Sequence, residues 1–144
     1  MQQYSVTVTR QDANRAVAST REFSLTLGAR RGDPTVGFNP VETLLTAMGT
    51  CLLTSLQMVA ELSHLPIDGM AISLVATRED RPPRVAAIHY TLRVVSSLPR
   101  ERVERLQQLA EKNSTVFQTL AGVIQVTGEL HHQSPDGEAP TGDA

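Results

Sequence analysis

Asn39-Pro40-Val41-Glu42-Thr43-Leu44-Leu45-Thr46-Ala47-Met48-Gly49-Thr50-Cys51-Leu52-Leu53 opens the longest apolar helix that the periodicity predicts, and it carries the only cysteine of the chain. Asn39 suits the N-cap, Pro40 suits the first helical position, where a missing N–H costs nothing, and Glu42 puts negative charge in the first turn. The helix is expected to run to about His64, where Leu65-Pro66 stops it. Val41, Leu44, Leu45, Met48, Cys51, Leu52, Leu56 and Val59 follow i, i+3, i+4, i+7 spacing, while Ala47, Leu53, Met58, Ala60 and Leu62 extend apolar character around most of the remaining circumference. A helix of that kind is wrapped by other elements, so the thiol is expected inside the protein.

Before the helix, Tyr4, Val6 and Val8 alternate with polar residues as a half-buried strand would, Arg10 to Asn14 reads as a turn, and Ala16-Val17-Ala18 returns as the second strand of a hairpin. Glu22 to Leu27 is a third strand with Phe23, Leu25 and Leu27 on one face. The loop Ala29 to Phe38, with two glycines and a proline, is longer than a plain connection needs, and such loops often border a site.

After the helix, Met70 to Thr77 and Val85 to Ser96 alternate as two strands of a hairpin around the polar Glu79 to Arg84 connection. Ala86, Ile88, Tyr90, Leu92 and Val94 share one face, and His89, Thr91 and Arg93 the other. A second helix starts at Ser97, or at Leu98 if Pro99 is the first helical residue, and has a narrow stripe of Val103, Leu106, Leu109 and Ala110. Asn113 ends it, Ser114 or Thr115 caps a short third helix through Leu120, and a last strand turns Ile124, Val126 and Leu130 inward. The composition of 132–144 is polar and Gly/Pro-rich and predicts a disordered tail, leaving residues 1–131 as a single domain. The order βββαββααβ is α+β with mostly antiparallel pairing. A sheet of this size cannot cover a helix apolar nearly all round, so a homodimer with the long helices meeting near its centre is expected.

The chain has 144 residues, net charge −2 with both signs scattered, and only five aromatic residues (Tyr4, Tyr90, Phe23, Phe38 and Phe117). Neither a basic footprint nor a stacking platform is present, so no nucleic-acid partner is expected. The polar start Met1-Gln2-Gln3-Tyr4 has no leader pattern and no long apolar run is evident, giving the expectation of a soluble, cytoplasmic protein with no membrane partner. One cysteine cannot form an internal disulfide, in keeping with a reducing compartment. His64, His89, His131 and His132 show no metal-ligand spacing with Cys51, so neither a metal nor another cofactor is expected.

Asn39-Pro40-Val41-Glu42 followed by Cys51, together with Ala110-Glu111-Lys112-Asn113-Ser114-Thr115-Val116, resembles the OsmC/Ohr family. The first matches its Asn/Ser-Pro-x-Glu helix start with a cysteine one buried stretch later, and the second its Glu-Lys-x-Cys-Pro-Val segment. The element order fits from Met1 to about His132. The resemblance implies an OsmC-like fold, with antiparallel sheets wrapped around a long central helix in an intertwined homodimer. In active members it also implies a thiol-dependent peroxidase.

In those members the first cysteine attacks the peroxide bond and becomes a sulfenic acid, which the second cysteine resolves as a disulfide. Here the second position is Ser114, which can form no disulfide; its plain role is the N-cap of the third helix, its other role a hydrogen bond to the sulfur. A reactive Cys51 also needs a cation or several donors to hold its thiolate, and it lies too far from the helix start for the dipole to serve. The resemblance assigns that task to an arginine of the first hairpin, but the register puts Asp12 there, flanked by Arg10 and Arg15. The glutamate that orients the arginine in the organic-hydroperoxide branch falls at Val41, whereas Glu42 fits the broader OsmC-like branch. Nine residues separate Glu42 from Cys51, about 180° around the helix and roughly 13 Å along it, so the two cannot touch directly. Arg30 and Arg31, on the loop before the helix, are a further cation source or plain solvated residues.

Two functions follow. In the first, Cys51 is the catalytic residue of a one-cysteine peroxidase that reduces organic hydroperoxides, with an external thiol as resolver. In the second, the protein is a non-catalytic module whose dimer cleft, lined by Leu44, Met48, Leu52 and the Arg30 loop, holds an apolar small molecule.

Overall fold

The alternating and helical patterns resolve into nine elements in the computed structural model, which describes residues 1–137. In chain order they are β1 (Thr7–Arg10), β2 (Arg15–Thr20), β3 (Phe23–Gly28), α1 (Pro40–Leu62), β4 (Gly69–Asp80), β5 (Pro83–Val95), α2 (Arg100–Asn113), α3 (Thr115–Ala121) and β6 (Gln125–Gln133). This is the expected α+β order. The chain contacts divide into two compact units, Met1–Leu44 and a second that begins at Leu45.

The first unit is a three-stranded antiparallel sheet, β1-β2-β3. Val8, Ala18 and Leu25 stand in one register row, so the apolar residues share a face as their period of two requires. The half-burial expected of β1 is absent, and the start of β3 is open as well: Val8 is 59% exposed, Phe23 58% and Leu25 64%, while Ala16, Val17 and Ala18 of β2 are partly buried. Thr20 pairs with Phe23, leaving a two-residue turn in which Arg21 takes φ 51°, and the Arg21 guanidinium lies over the Phe23 ring at 5.6 Å. The loop after β3 folds back on its own strand, with the Gly28 N–H donating to the Phe38 carbonyl at 3.0 Å and the Ala29 N–H to the Asn14 carbonyl at 2.8 Å.

α1 begins as its sequence predicts. Asn39 Oδ1 accepts from the Glu42 N–H at 2.8 Å, and Glu42 Oε1 accepts from the Asn39 N–H at 2.9 Å, a reciprocal capping box. The helix ends at Leu62, slightly before the expected His64. There His64 takes φ 54°, the His64 N–H bonds to the Glu61 carbonyl and the Leu65 N–H to the Ala60 carbonyl. That is a Schellman motif, so the left-handed residue stops the helix one step before Leu65-Pro66 could. By length and mean hydropathy, 1.4 over its most apolar window, α1 could cross a bilayer, contrary to the expectation of no such run. Its buried residues Met48, Leu52, Leu56, Val59 and Ala60 instead belong to the core of the second unit.

In that unit β4 and β5 form the expected hairpin, tighter than foreseen because the strands run to Asp80 and Pro83. β6 pairs with β5 in parallel, Ala87 opposite Gln125 to Val95 opposite Gln133. This departs from an all-antiparallel sheet because α2 and α3 carry the chain back to the start of β5, as a parallel crossover must. Ile88, Tyr90, Leu92 and Val94 form the buried face of β5, against Val103, Leu106 and Ala110 of α2 and the buried face of α1. Gly49 lets α1 sit close on β4: a Cβ there would be 2.9 Å from Leu74 Cδ1.

Two local expectations need correction. The N-cap of α2 is Pro99, not Ser97 or Leu98. The buried Ser96 hydroxyl accepts the Leu98 N–H at 3.1 Å and donates to the Pro66 carbonyl at 2.8 Å, tying the entry to α2 to the loop after α1. The last strand also runs to Gln133, so His132 and Gln133 belong to the sheet and not to a tail; His132 is 7% exposed. The rest of the tail expectation, over 138–144, lies outside the described residues.

Candidate functional site

Cys51 is a free, partly exposed thiol, not the enclosed one expected. The buried residues of α1 define one face, and at about 100° per residue Cys51 stands roughly 100° from the middle of it, beside Met48 and Ser55. The helix is thus covered on one side within the chain, which its all-round apolar composition conceals; Met58 is 42% and Leu62 74% exposed. Met48 and Leu52, expected to line a cleft, are core residues, 0% and 4% exposed. An open groove of about 590 Å³ does run along the outer side of α1, past Leu53, Gln57, Met58, Ile67 and Met70.

Ser114 is fully buried. Its Oγ accepts the Phe117 N–H at 3.3 Å and its N–H donates to the Glu111 carbonyl at 3.3 Å, so it caps α3 while closing α2. Among the described residues no hydrogen bond joins Ser114 to Cys51, and the plain reading of Ser114 as a cap is the one observed.

The remaining residues singled out in the sequence lie in the first unit. Glu42 is half of the capping box. Arg10 donates through Nε to the Asp12 carbonyl at 3.1 Å and through Nη2 to the Ala13 carbonyl at 3.2 Å. Arg15 Nη1 pairs with Asp12 Oδ2 at 3.0 Å. Asp12 is therefore the organiser of the β1–β2 turn: its other oxygen accepts the Asn14 and Arg15 N–H groups. The Asn14 amide foremost, with Arg15, holds the Asp12 carboxyl below its usual range. Arg30 reaches the Asn14 side chain at 3.4 Å. Both hairpin arginines thus serve the turn in this chain, as the acidic residue between them dictates.

Sequence reading missed two groups of the second unit. The Tyr90 hydroxyl, deep in the core, donates to the Glu111 carboxylate and accepts from Gln107 Nε2 at 2.9 Å. Burial first, then Glu111, pushes the phenol above the usual tyrosine range. Gly128, the register partner of Tyr90, has no room for a Cβ, which would fall 2.2 Å from the ring. A glycine inside a strand pattern is the signal that could have revealed this close approach. The other group, on the outer face, is Glu129 between His89 and His131. His131 Nε2 lies 2.7 Å from Glu129 Oε1 and His89 Nε2 3.5 Å from Oε2. The hydrogen bond with His131 foremost keeps the Glu129 carboxyl below its usual range.

Comparison with known proteins agrees with this architecture. The OsmC-like protein family matches residues 30–129. No match was found among curated protein sequences. An OsmC-like protein from Mycoplasma pneumoniae superposes with a TM-score of 0.85 at 19% identity, over 91% of this chain and 97% of that one. A putative osmotic stress induced and detoxification response protein from Psychrobacter arcticus gives 0.79 at 18% identity, over 91% and 98%. The organic hydroperoxide resistance protein OhrB of Bacillus subtilis gives 0.65 at 19% identity, over 88% and 96%. With the family motif, the element order and the fold in agreement, the chain belongs to the OsmC-like protein family.

Proposed function

We propose that the protein serves in the stress response as a one-cysteine, thiol-dependent peroxidase that reduces organic hydroperoxides. The observation that carries this reading is the free, partly exposed Cys51 after the Asn39-Pro40-Val41-Glu42 helix start. Its thiolate attacks one peroxide oxygen, the O–O bond breaks, and the alkoxide takes up a proton and leaves as the alcohol. The sulfur, oxidised by two electrons to a sulfenic acid, condenses with an external thiol and releases water, and a second thiol reduces the mixed disulfide. The external thiol is required because the hydroxyl of Ser114 can do neither step. Such chemistry suits a reducing, cytoplasmic compartment.

The working unit in this proposal is a homodimer. The exposed apolar residues of the first sheet and the bare side of α1 (Val8, Phe23, Leu25, Met58 and Leu62) are surface that a second copy would cover. Sedimentation of a compact monomer at micromolar concentration would overturn it.

The second reading is a binding module that retains an apolar ligand without turnover. It is favoured by Asp12, whose carboxylate occupies Arg15 where an activating arginine is needed. The deciding experiment is exposure to cumene hydroperoxide with dimedone, followed by intact mass. A peroxide-dependent adduct absent from Cys51→Ser supports the peroxidase. An unmodified Cys51 overturns it, and ligand retention by Cys51→Ser then selects the binding module.

A further inference from the structure

We propose that the ends of β5 and β6 form a binding site for inorganic hydrogen phosphate. A cavity of about 410 Å³ opens where the last three register pairs of the two strands meet Arg100, the first residue of α2. The polar side chains of its lining are Arg93, Arg100, His131, His132 and Gln133, and no carboxylate is among them. The two nearby carboxylates are already engaged, Glu104 by Arg100 Nε at 3.0 Å and Glu129 by His131 Nε2 at 2.7 Å. Among the described residues Arg93 has no acidic partner: it donates to Ser73 Oγ at 3.2 Å, which leaves most of its donor fork to a ligand. Arg93 is thus the uncompensated charge of the cavity.

The second observation is His132, which is 7% exposed and has one nitrogen unmatched. Its Nε2 lies 3.1 Å from the Ser96 carbonyl, which can only accept, so Nε2 carries the proton of the neutral ring and Nδ1 presents a lone pair. Among the described residues Nδ1 is the buried side-chain polar atom without a partner. Such an atom costs stability until a donor reaches it. A ligand for this cavity must therefore bring negative oxygens for the arginine and one O–H for the imidazole. Carboxylates and sulfate hold no such proton at neutral pH, and a phosphate monoester loses its last one at about pH 6. Inorganic phosphate keeps one, as HPO₄²⁻, and so satisfies both groups. Arg100 Nη2 donates to the Leu130 carbonyl at 3.0 Å and the Ser96 N–H to the Gln133 carbonyl at 2.9 Å, so the wall on β6 is already formed and the ion would fasten the end of that strand to the start of α2.

The test is calorimetric titration of the full chain at about pH 8 with sodium phosphate, sodium sulfate and phenyl phosphate, beside thermal unfolding. Phosphate is expected to bind at one site per chain and to raise the Tm. Sulfate and phenyl phosphate should each bind at least about tenfold more weakly, since both leave Nδ1 unpaired. Arg93→Gln should weaken phosphate at least about tenfold, whereas Arg78→Gln, which removes a charge elsewhere on the same sheet, should leave it unchanged. His132→Phe should remove the preference over sulfate. Should that variant fail to fold, the nitrogen NMR signal of His132 Nδ1 in the wild type decides, moving with phosphate and not with sulfate. Absence of phosphate binding, equal affinity for sulfate, or binding that survives Arg93→Gln overturns the site.

Discussion

The two three-stranded sheets carry the same alternation of apolar and polar residues and put it to different ends. In β4-β5-β6 the apolar row of β5 meets helices: Ile88 and Tyr90 are 1% exposed and Val94 is fully enclosed. In β1-β2-β3 the equivalent row, Val8, Ala18 and Leu25, stands on a face whose large residues remain more than half exposed. Alternation states which face is apolar; it does not state what covers that face. A sheet with one apolar face must bury that face against another element, so the first sheet is the region whose stability responds to protein concentration in the homodimer proposed above.

The largest expected effect separates the sheets directly. Leu56→Ala, inside the second core, should cost about 2–5 kcal/mol by chemical denaturation at any protein concentration. Leu25→Ala, on the first sheet, should change a dilute monomer by less than about 0.5 kcal/mol and weaken the concentrated protein far more. Equal costs at both concentrations would break the comparison. Next, Gly128→Ala forces a methyl against the Tyr90 ring and should cost about 1–3 kcal/mol, measured by urea unfolding. A neutral result would mean that the Tyr90 ring can give way at the β5–β6 seam. Ser114→Ala removes the α3 cap and should cost about 0.5–2 kcal/mol. A role confined to the sulfur of Cys51 would instead leave stability unchanged.

The smallest effect is one of pH. The folded Asp12 carboxyl titrates below its ordinary value of 3.8. Its contribution is therefore present above the unfolded pKa and is lost as pH falls through the folded one. Acidification below about pH 4 should loosen the β1–β2 turn, seen as amide exchange at Asn14 and Arg15, and Asp12→Asn should abolish that step.

What was legible in the sequence follows the range of the interaction. Asn39, Pro40 and Glu42 announced the start of α1 because a capping box is written within four residues. The inward set of β5 and the cap at Ser114 were legible for the same reason. The exposure of Cys51 was not, since a helix apolar nearly all round does not reveal that one chain covers a single side of it. The direction of β6 was hidden because alternation reads the same in parallel and antiparallel strands. His132 was lost to the tail by the polar, Gly/Pro-rich composition that follows it, although its Nε2 lies 3.1 Å from the Ser96 carbonyl. Glu129 with its two histidines depends on a register between residues as far apart as 38 positions, which no local pattern encodes.

The parallel pairing of β6 also sets an order on assembly. Its partner on β5 is made 38 residues earlier, as His89 and Thr127 show, and α2 and α3 fill the interval. While the chain is being synthesised, the β4–β5 hairpin can close as soon as Val95 has emerged, whereas the far edge of β5 keeps its backbone N–H and C=O groups unpaired until the final strand arrives. A chain cut between Ala121 and Gln125 therefore retains every helix and the whole capping box, yet presents an open strand edge to its neighbours.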